Sequence, residues 1–359
     1  MKKIEIKQVN TKQILLNSKI NKLFKNIYLQ NLNFNNSILR GDFYLDTNNY
    51  YPITQNNYFT FPDQFDWQNK RSLYQTDRFK KNFIKEKESC KKISNAYVVG
   101  TSPGNNYYRN ISTFLYRLYF ISEKKINIAI HRNTSNNIRE FIKYILDFNK
   151  VKLGKYVYLD DGFYLFKNSQ IPGFLNIDKA NKIYENFFSN FQKPSKKNNK
   201  IYISRRNAKW RKILNEGDFS NHLEKEGFEI IDFENLTVLE QIKKIQSSNK
   251  IIAPHGSGLT NLIFDYKKNT TIEIIPKKID DELKNIYLKY KIISVDKKNE
   301  HLFFAADLVK NDPVKYLKTR NKSEKKHVGK TNIRNNPYFK NFIVTESEFK
   351  KLVSNFSSH

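Results

Sequence analysis

Three clustered arginines, Arg205, Arg206 and Arg211, and the run Pro-His-Gly-Ser-Gly at 254–258 are the residues whose types and spacing best suit chemistry. The chain draws its positive charge mainly from lysine, so clustered arginine is a local choice. A guanidinium fork matches the oxygens of a phosphate or carboxylate in pairs. Glycines at 256 and 258 let backbone approach a ligand closely. A helix starting near Gly258 would turn unpaired N–H groups and a positive dipole end toward an anion such as a pyrophosphate. Ser257, Thr260 and Asn261 add neutral donors, and Ser204 stands just before the arginines. Plainer readings stand beside these: a solvated basic surface, a strand-to-helix turn, and a structural hydrogen bond for His255.

The carboxylates are fewer. Glu273 lies inside the apolar run Thr-Ile-Glu-Ile-Ile, where a charge must find partners. A ribose with two hydroxyls would serve, and so would a core ion pair with Arg205 or Arg206. Nearer the N-terminus, Asn106 and Arg109 open an expected helix after a glycine turn, facing a sugar or anion or simply capping the helix. Asp160 and Asp161 follow an expected strand and precede Gly162. Either could be a general base or part of a turn. His131, closing another strand, is a further base candidate.

These residues need strands and helices to position them. Apolar runs at 96–99, 126–130 and 156–159 read as strands, with helical periodicity at 106–121 and 135–148 between them. In the first of these helices, Ile111, Leu115, Leu118 and Tyr119 share a face. A helix at 178–191 is followed by a polar, Pro-containing stretch at 192–200, the best linker in the chain. The alternation then repeats, with strands at 201–203, 228–233, 250–253, 271–275 and 291–295. Helices are expected at 216–226, from Val238 behind a Thr237/Glu240 capping box, and at 280–290. This order implies parallel sheets covered by helices, and an α/β chain of two Rossmann-like domains with a cleft between them. The expected divisions are an irregular or β-rich extension at 1–95, a first β/α domain at 96–191 on the acceptor side, the linker at 192–200, a second β/α domain at 201–299 on the donor side, and a tail at 300–359 that ends in a closing helix. In open sheets of this kind, ligands bind outside the carboxyl ends of the strands, where both the arginines and the glycine run fall.

Net charge is +29 over 359 residues. It favours anionic substrates and weak association with anionic membranes at low salt, although a chain-wide lysine bias explains it equally well. With 22 Tyr and 28 Phe that could stack on bases, nucleic-acid binding is the rival reading. The single cysteine, Cys90, excludes an internal disulfide and suggests no cysteine metal site. No apolar run reaches the ~18–20 residues of a membrane span, and the first residues lack the apolar core of a signal peptide. The expected compartment is the cytoplasm, with peripheral contact to the inner membrane face.

The run from 201 to 264 resembles the core of glycosyltransferase family 61, whose bacterial members are commonly capsular polysaccharide biosynthesis proteins. The resemblance rests on Ser204-Arg205-Arg206, Arg211, Asn215-Glu216, Leu236-Thr237, Glu240-Gln241, the run from His255 to Asn261, and Glu273, in that order. It covers about 75 residues, and their order and spacing together are specific. Upstream, the family's Asn-Tyr-x-His-Trp has Asn106-Tyr107-Tyr108-Arg109-Asn110 in its place, so the His is replaced by Arg109. That replacement motivates a third reading, a degenerate transferase kept as a scaffold. The resemblance implies a GT-B-like fold, a nucleotide-sugar donor and a glycan or lipid-linked glycan acceptor. It also implies inversion at the sugar carbon, and no cofactor or metal for the donor. Ser204, Arg205, Arg206, Arg211, Gly256, Ser257, Gly258, Asn261 and Glu273 would bind the donor. Asn106 and Arg109 would face the acceptor, and Asp161 or His255 would act as base.

Overall fold

The computed structural model describes residues 12–15, 28–40, 53–54, 91–101, 105–160, 162–172, 175, 177–189, 199–208, 210–266, 268–277, 281–296, 298–309 and 340–357. The chain divides into two compact units, Met1–Ile183 and Tyr184–His359, each built on its own parallel-rich sheet. It is a two-domain α/β protein. Among the described residues no helix is long and apolar enough to cross a membrane.

In the first unit the strands are β1 (Lys12–Leu15), β2 (Tyr28–Arg40), β3 (Ile53–Thr54), β4 (Lys91–Ser94), β5 (Ala96–Val98), β6 (Lys125–His131), β7 (Lys152–Leu159) and β8 (Phe163–Pro172). Their order is β1-β2-β8-β5-β6-β7, with β3 on β2 and β4 on β8. Strands β5, β6 and β7 run parallel, and β8 runs parallel to β5, while β2 lies antiparallel along β8 from Asn31↔Pro172 to Arg40↔Phe163. Strands from the first ninety-five residues therefore belong to this sheet. The β-like pieces expected at 42–45 and 58–61 lie outside the described residues, as do 192–198 of the expected linker.

Helix α1 (Asn136–Phe148) packs on this sheet because Ile138, Phe141, Ile142, Ile145 and Leu146 make one buried stripe. Ser135 caps it by accepting from the Ile138 N–H at 3.4 Å. The regular helix expected at 106–121 is instead a turn of α-helix, a π-helical stretch at Asn110–Phe114 and a 3₁₀ stretch at Leu115–Phe120. Every residue from Asn110 to Ile121 is buried, so no single apolar face sets the period. Arg117 is tolerated inside because its guanidinium donates to the Val99 and Pro172 carbonyls, tying the ends of β5 and β8. Helix α2 (Ile177–Ser189) leads toward the second unit.

The second unit contains β9 (Asn199–Ile203), α3 (Glu216–Lys225), β10 (Phe228–Ile231), α4 (Val238–Ser247), β11 (Ser248–Pro254), β12 (Thr270–Pro276), α5 (Asp281–Asp296), β13 (Glu300–Leu308), β14 (Phe342–Ile343) and α6 (Glu346–Ser357). Sheet order is β10-β9-β11-β12-β13-β14, parallel throughout except at β14. Counted from β9, this order runs 2-1-3-4-5-6, which is doubly wound. Its direction reverses between β9 and β11, and in open sheets of this kind ligands bind outside the strand ends at such a switch point.

Local signals explain most of these elements. Gly227 ends α3 at φ 81, donating to the Glu224 carbonyl at 2.9 Å. Thr237 and Glu240 form the expected capping box at α4. Thr237→Ala removes one partner of a solvent-exposed cap, and should lower unfolding free energy in urea by about 1 kcal/mol. Segment 291–295, expected as a strand, is instead the last turn of α5, and the outer strand is β13. Tyr287, Tyr290, Ile293 and Ser294 are buried at helical spacing, which overrides the β-branched character of Ile292, Ile293 and Val295. Helix α6 closes the core, with Phe349, Leu352 and Phe356 packed in one cluster with Tyr202, Phe219 and Ile252.

Candidate functional site

The switch point of the second unit collects most of the residues singled out above. Strand β9 ends at Ile203, and Ser204, Arg205 and Arg206 follow; β11 ends at Pro254, and His255 and Gly256 follow. The two strands pair directly, with Ile252 opposite Tyr202, so both strand ends lie at one edge of the sheet.

Arg205 reaches from the end of β9 to the turn that follows β11. Its backbone N–H donates to Glu216 Oε1 at 3.3 Å and its Nη2 to the Trp210 carbonyl at 3.0 Å. Its guanidinium lies against Gly256, where an added Cβ would stand 2.8 Å from Cζ. A side chain there would push the guanidinium aside, because the arginine occupies the space a Cβ would take. Gly258 has a different reason: a Cβ would come within 3.1 Å of Ile203 Cγ2, so the turn packs tightly on the end of β9. From Ser257 to Phe264 the chain forms a 3₁₀ helix, with Gly256 extended just before it. Ser257 and Gly258 are partly exposed.

Arg211 is only 6% exposed and adopts the left-handed backbone region at φ 59, which is strained for a residue with a side chain. The C-terminal segment holds it there. Lys212 N–H donates to Asn341 Oδ1 at 3.0 Å, Phe342 N–H to the Lys212 carbonyl at 2.7 Å, and Asn215 Nδ2 to the Val344 carbonyl at 2.8 Å.

Other expected members are engaged elsewhere. Arg206, half exposed, pairs through Nε with Asp232 beyond β10 at 3.3 Å and donates through the same atom to Ser204 Oγ at 3.1 Å. Asn261 is fully buried. Its Nδ2 donates to Gln241 Oε1 at 2.9 Å and to the Gly258 carbonyl at 3.1 Å, while Gln241 donates to the Phe233 and Leu236 carbonyls. Asn261 thus shapes the turn from inside rather than offering a donor to a ligand.

Glu273 corrects the sequence reading most. Neither a ribose nor an arginine is its partner. Its side chain is 0% exposed, with Oε1 bonded to His255 Nδ1 and Oε2 to His301 Nε2 at 2.8 Å. On the far side, Ser294 Oγ bonds His301 Nδ1 at 2.9 Å. The His255 ring sits between Tyr287 and Tyr290, with centroids 4.5 and 5.1 Å away. Burial pushes the His255 pKa down to about 3; Glu273 opposes this, and the Lys289 and Arg211 charges add to it. Burial works to raise the Glu273 carboxyl, but the two histidines around it hold it below the usual carboxylate value. Near neutral pH the centre is therefore a carboxylate accepting from two imidazole N–H groups.

In the first unit Asn106 accepts from the Arg109 N–H at 3.2 Å and is an ordinary N-cap. Arg109 lies partly buried in that first turn. Asp160 is ion-paired with Arg132, and Asp161 lies outside the described residues. His131 closes β6 almost fully buried, and its Nδ1 accepts from the Asn133 N–H at 3.2 Å, which places the proton of the neutral ring on Nε2. Among the described residues no group of three or more His, Cys, Asp or Glu is set to share a metal ion.

Sequence reasoning missed His301 and Ser294, and gave Glu216 no role beyond its place in the family resemblance. Glu216 supports Arg205 and also accepts from the Tyr202 hydroxyl at 2.6 Å. His301 and Ser294 complete the buried centre. The available signal for His301 was a polar residue inside an apolar strand, as it was for Glu273.

Two α/β units, the second with a doubly wound parallel sheet, define a two-domain α/β protein. The family model for glycosyltransferase 61 matches residues 41–272, so the chain belongs to that family and is a glycosyltransferase. The match begins well upstream of the resembling core, inside the first unit, and stops one residue before Glu273. No curated protein matches the chain.

Proposed function

We propose that the chain moves a sugar from a nucleotide-sugar donor to a glycan or lipid-linked glycan acceptor, with inversion, in the synthesis of a capsule or other surface polysaccharide. One observation carries this reading: the Arg205 guanidinium lies over Gly256 across the β9/β11 switch point, in the same loop region as buried Arg211. In such a transfer the acceptor oxygen bonds the anomeric carbon while the bond from that carbon to the nucleotide phosphate breaks. Negative charge grows on the leaving phosphate. Arg205, Arg211 and the N–H groups at 256–258 are oriented donors for it, in the place a divalent cation would otherwise fill. Ser204, Arg206, Ser257 and Gly258 border that phosphate site. The acceptor proton passes to a base, for which Asp161 and His255 are the candidates, with Asn106 and Arg109 on the acceptor side. The GT-B-like arrangement of the units, and a cytoplasmic enzyme resting weakly on anionic membrane, belong to the same reading and rest on the resemblance and the charge.

A thermal-shift panel of UDP-, GDP-, CMP- and TDP-linked sugars tests it. Ligand bound only by the folded state raises apparent stability by mass action. One nucleotide class should raise the melting temperature in a concentration-dependent way, and a flat response to all four would overturn the reading.

A further inference from the structure

We propose that Asn215 and Glu216 are positioning residues of the donor site, a two-sided clamp at the start of α3 that sets Arg205 at one end of the loop 205–214 and Arg211 at the other. That this loop meets a donor rests on the function proposed above; the clamp itself does not.

Glu216 holds the end of the loop next to β9. Its Oε1 accepts from the Tyr202 hydroxyl at 2.6 Å and from the Arg205 N–H at 3.3 Å, so one oxygen joins β9, the arginine and the first turn of α3. Burial, and then the Glu216 charge, hold the Tyr202 phenol well above its usual pKa, so it stays a donor. With its backbone fixed there, Arg205 lays its guanidinium on Gly256 and donates to the Trp210 carbonyl further along the same loop.

Asn215 holds the other end. It stands at the N-cap of α3, where an asparagine ordinarily accepts from a first-turn N–H, yet its side chain makes no capping bond. Its amide instead donates to the Val344 carbonyl at 2.8 Å and accepts from the Val344 N–H at 3.2 Å. It pairs with that backbone like one rung of a β-ladder. Beside it, the Leu214 N–H donates to the Phe342 carbonyl at 2.9 Å, and the Phe342 N–H to the Lys212 carbonyl at 2.7 Å. The chain directly after Arg211 is thus fastened to the segment 342–344, which keeps Arg211 at φ 59. The Arg211 charge acts on His255, the residue before Gly256, so both ends of the loop address the end of β11.

Fold stability alone is a poor account of the pair. Glu216 is 7% exposed, and among the described residues its Oε2 has no hydrogen-bond partner. A desolvated carboxylate oxygen and a forgone cap are both costs, and a helix start chosen for stability would carry neither. Both fall on adjacent residues whose bonds run to the two ends of the arginine loop. Val344 also lies beyond residue 272, where the family match stops, so the clamp draws on a part of the chain outside that match.

The test uses the full chain, with UDP, GDP, CDP and TDP as calorimetric probes. Glu216→Ala and Asn215→Asp should each weaken binding of the accepted nucleotide by about tenfold or more. Asp at 215 keeps the size and can still cap, but cannot donate to the Val344 carbonyl. Glu216→Gln should bind within about threefold of the wild type, because its amide oxygen still accepts both bonds and its nitrogen replaces an oxygen with no partner to lose. A residue acting through an arginine should matter little once that arginine is gone. Glu216→Ala should therefore add less than about twofold to Arg205→Ala, and Asn215→Asp as little to Arg211→Gly, glycine suiting the left-handed backbone. A merely structural loss would add in full. Should Glu216→Ala not fold, Tyr202→Phe takes one donor from the same oxygen and should weaken binding about threefold, again only while Arg205 is present. Should Asn215→Asp not fold, Asn341→Ala removes the acceptor of the Lys212 N–H and takes its place in the comparison with Arg211→Gly. Trp210 gives a readout without ligand. In a Trp67→Phe background it is the one tryptophan, and acrylamide should quench it more in Glu216→Ala and Asn215→Asp than in Glu216→Gln. A folded member of either pair that binds like the wild type overturns the proposal, and so do losses that add in full. If the wild type binds none of the four nucleotides, the donor-site reading fails and the positioning role with it, while the quenching still decides whether the pair clamps the loop.

Discussion

Arg205→Ala should weaken nucleoside-diphosphate binding by about 1.5–3 kcal/mol, roughly 10- to 150-fold, the scale of a lost charged hydrogen bond. The guanidinium is already held by the Trp210 carbonyl and seated on Gly256, so it reaches a phosphate with little further ordering. Gly256→Ala offers a second route to the same loss. The added Cβ would displace the guanidinium without removing its charge, and a fall in affinity there would separate placement from net charge. Arg139→Ala is a control, since Arg139 lies on α1 in the first unit with its guanidinium 6.0 Å from the Tyr158 ring. Isothermal titration with the nucleotide selected by thermal shift would read all three. Equal affinity in Arg205→Ala and wild type would remove Arg205 from the donor site.

Glu273→Ala should destabilise the fold by about 3–5 kcal/mol, because two buried imidazole N–H groups lose their acceptor and a cavity opens in the core. The same centre should make stability fall in acid. His255 drops from an ordinary 6.5 to about 3 on folding, so its contribution is complete above pH 6.5 and is lost as pH falls toward 3. Glu273 is also held below its ordinary value of 4.5, so its contribution is complete above that pH and disappears through the still lower folded value. Urea unfolding between pH 7.5 and 3.5 should therefore give a level plateau above about pH 6.5 and a decline below it. In Glu273→Gln the amide can accept from only one imidazole, and the pH-dependent part of the decline should shrink. A wild-type stability that stays level from pH 7.5 to 3.5 would contradict the buried neutral His255.

The sequence by itself determined what is carried by local periodicity and short-range chemistry. The β/α alternation from 201 to 275 was legible because each strand is a compact apolar run and each helix has a cap, a glycine stop or a clear stripe. The Thr237/Glu240 box and Gly227 act within three residues of themselves, so no distant partner can change their meaning. Clustered arginine and the 254–258 run pointed to a phosphate site for the same reason: residue type is itself chemistry.

Tertiary structure alone decided who faces whom. Residues 291–295 have β-branched composition, yet they end a helix, because burial of Tyr287, Tyr290 and Ser294 outweighs intrinsic preference. Strand β8 carries no alternation strong enough to announce it, since pairing with β2, β4 and β5 supplies its stability. Gly256 reads in the sequence as room for a ligand, and that the Arg205 guanidinium lies against it emerges only from the fold. The sequence left Glu273 three conceivable partners, a ribose, Arg205 and Arg206. What it takes instead depends on parallel register, which sets Thr271 beside His301 and Glu273 beside Phe303, and so leaves His301 within reach of the carboxylate from one strand away. Residue order along one chain does not encode that adjacency. It arises only when β11, β12 and β13 lie side by side, and burial then forces every polar group among them to find a partner.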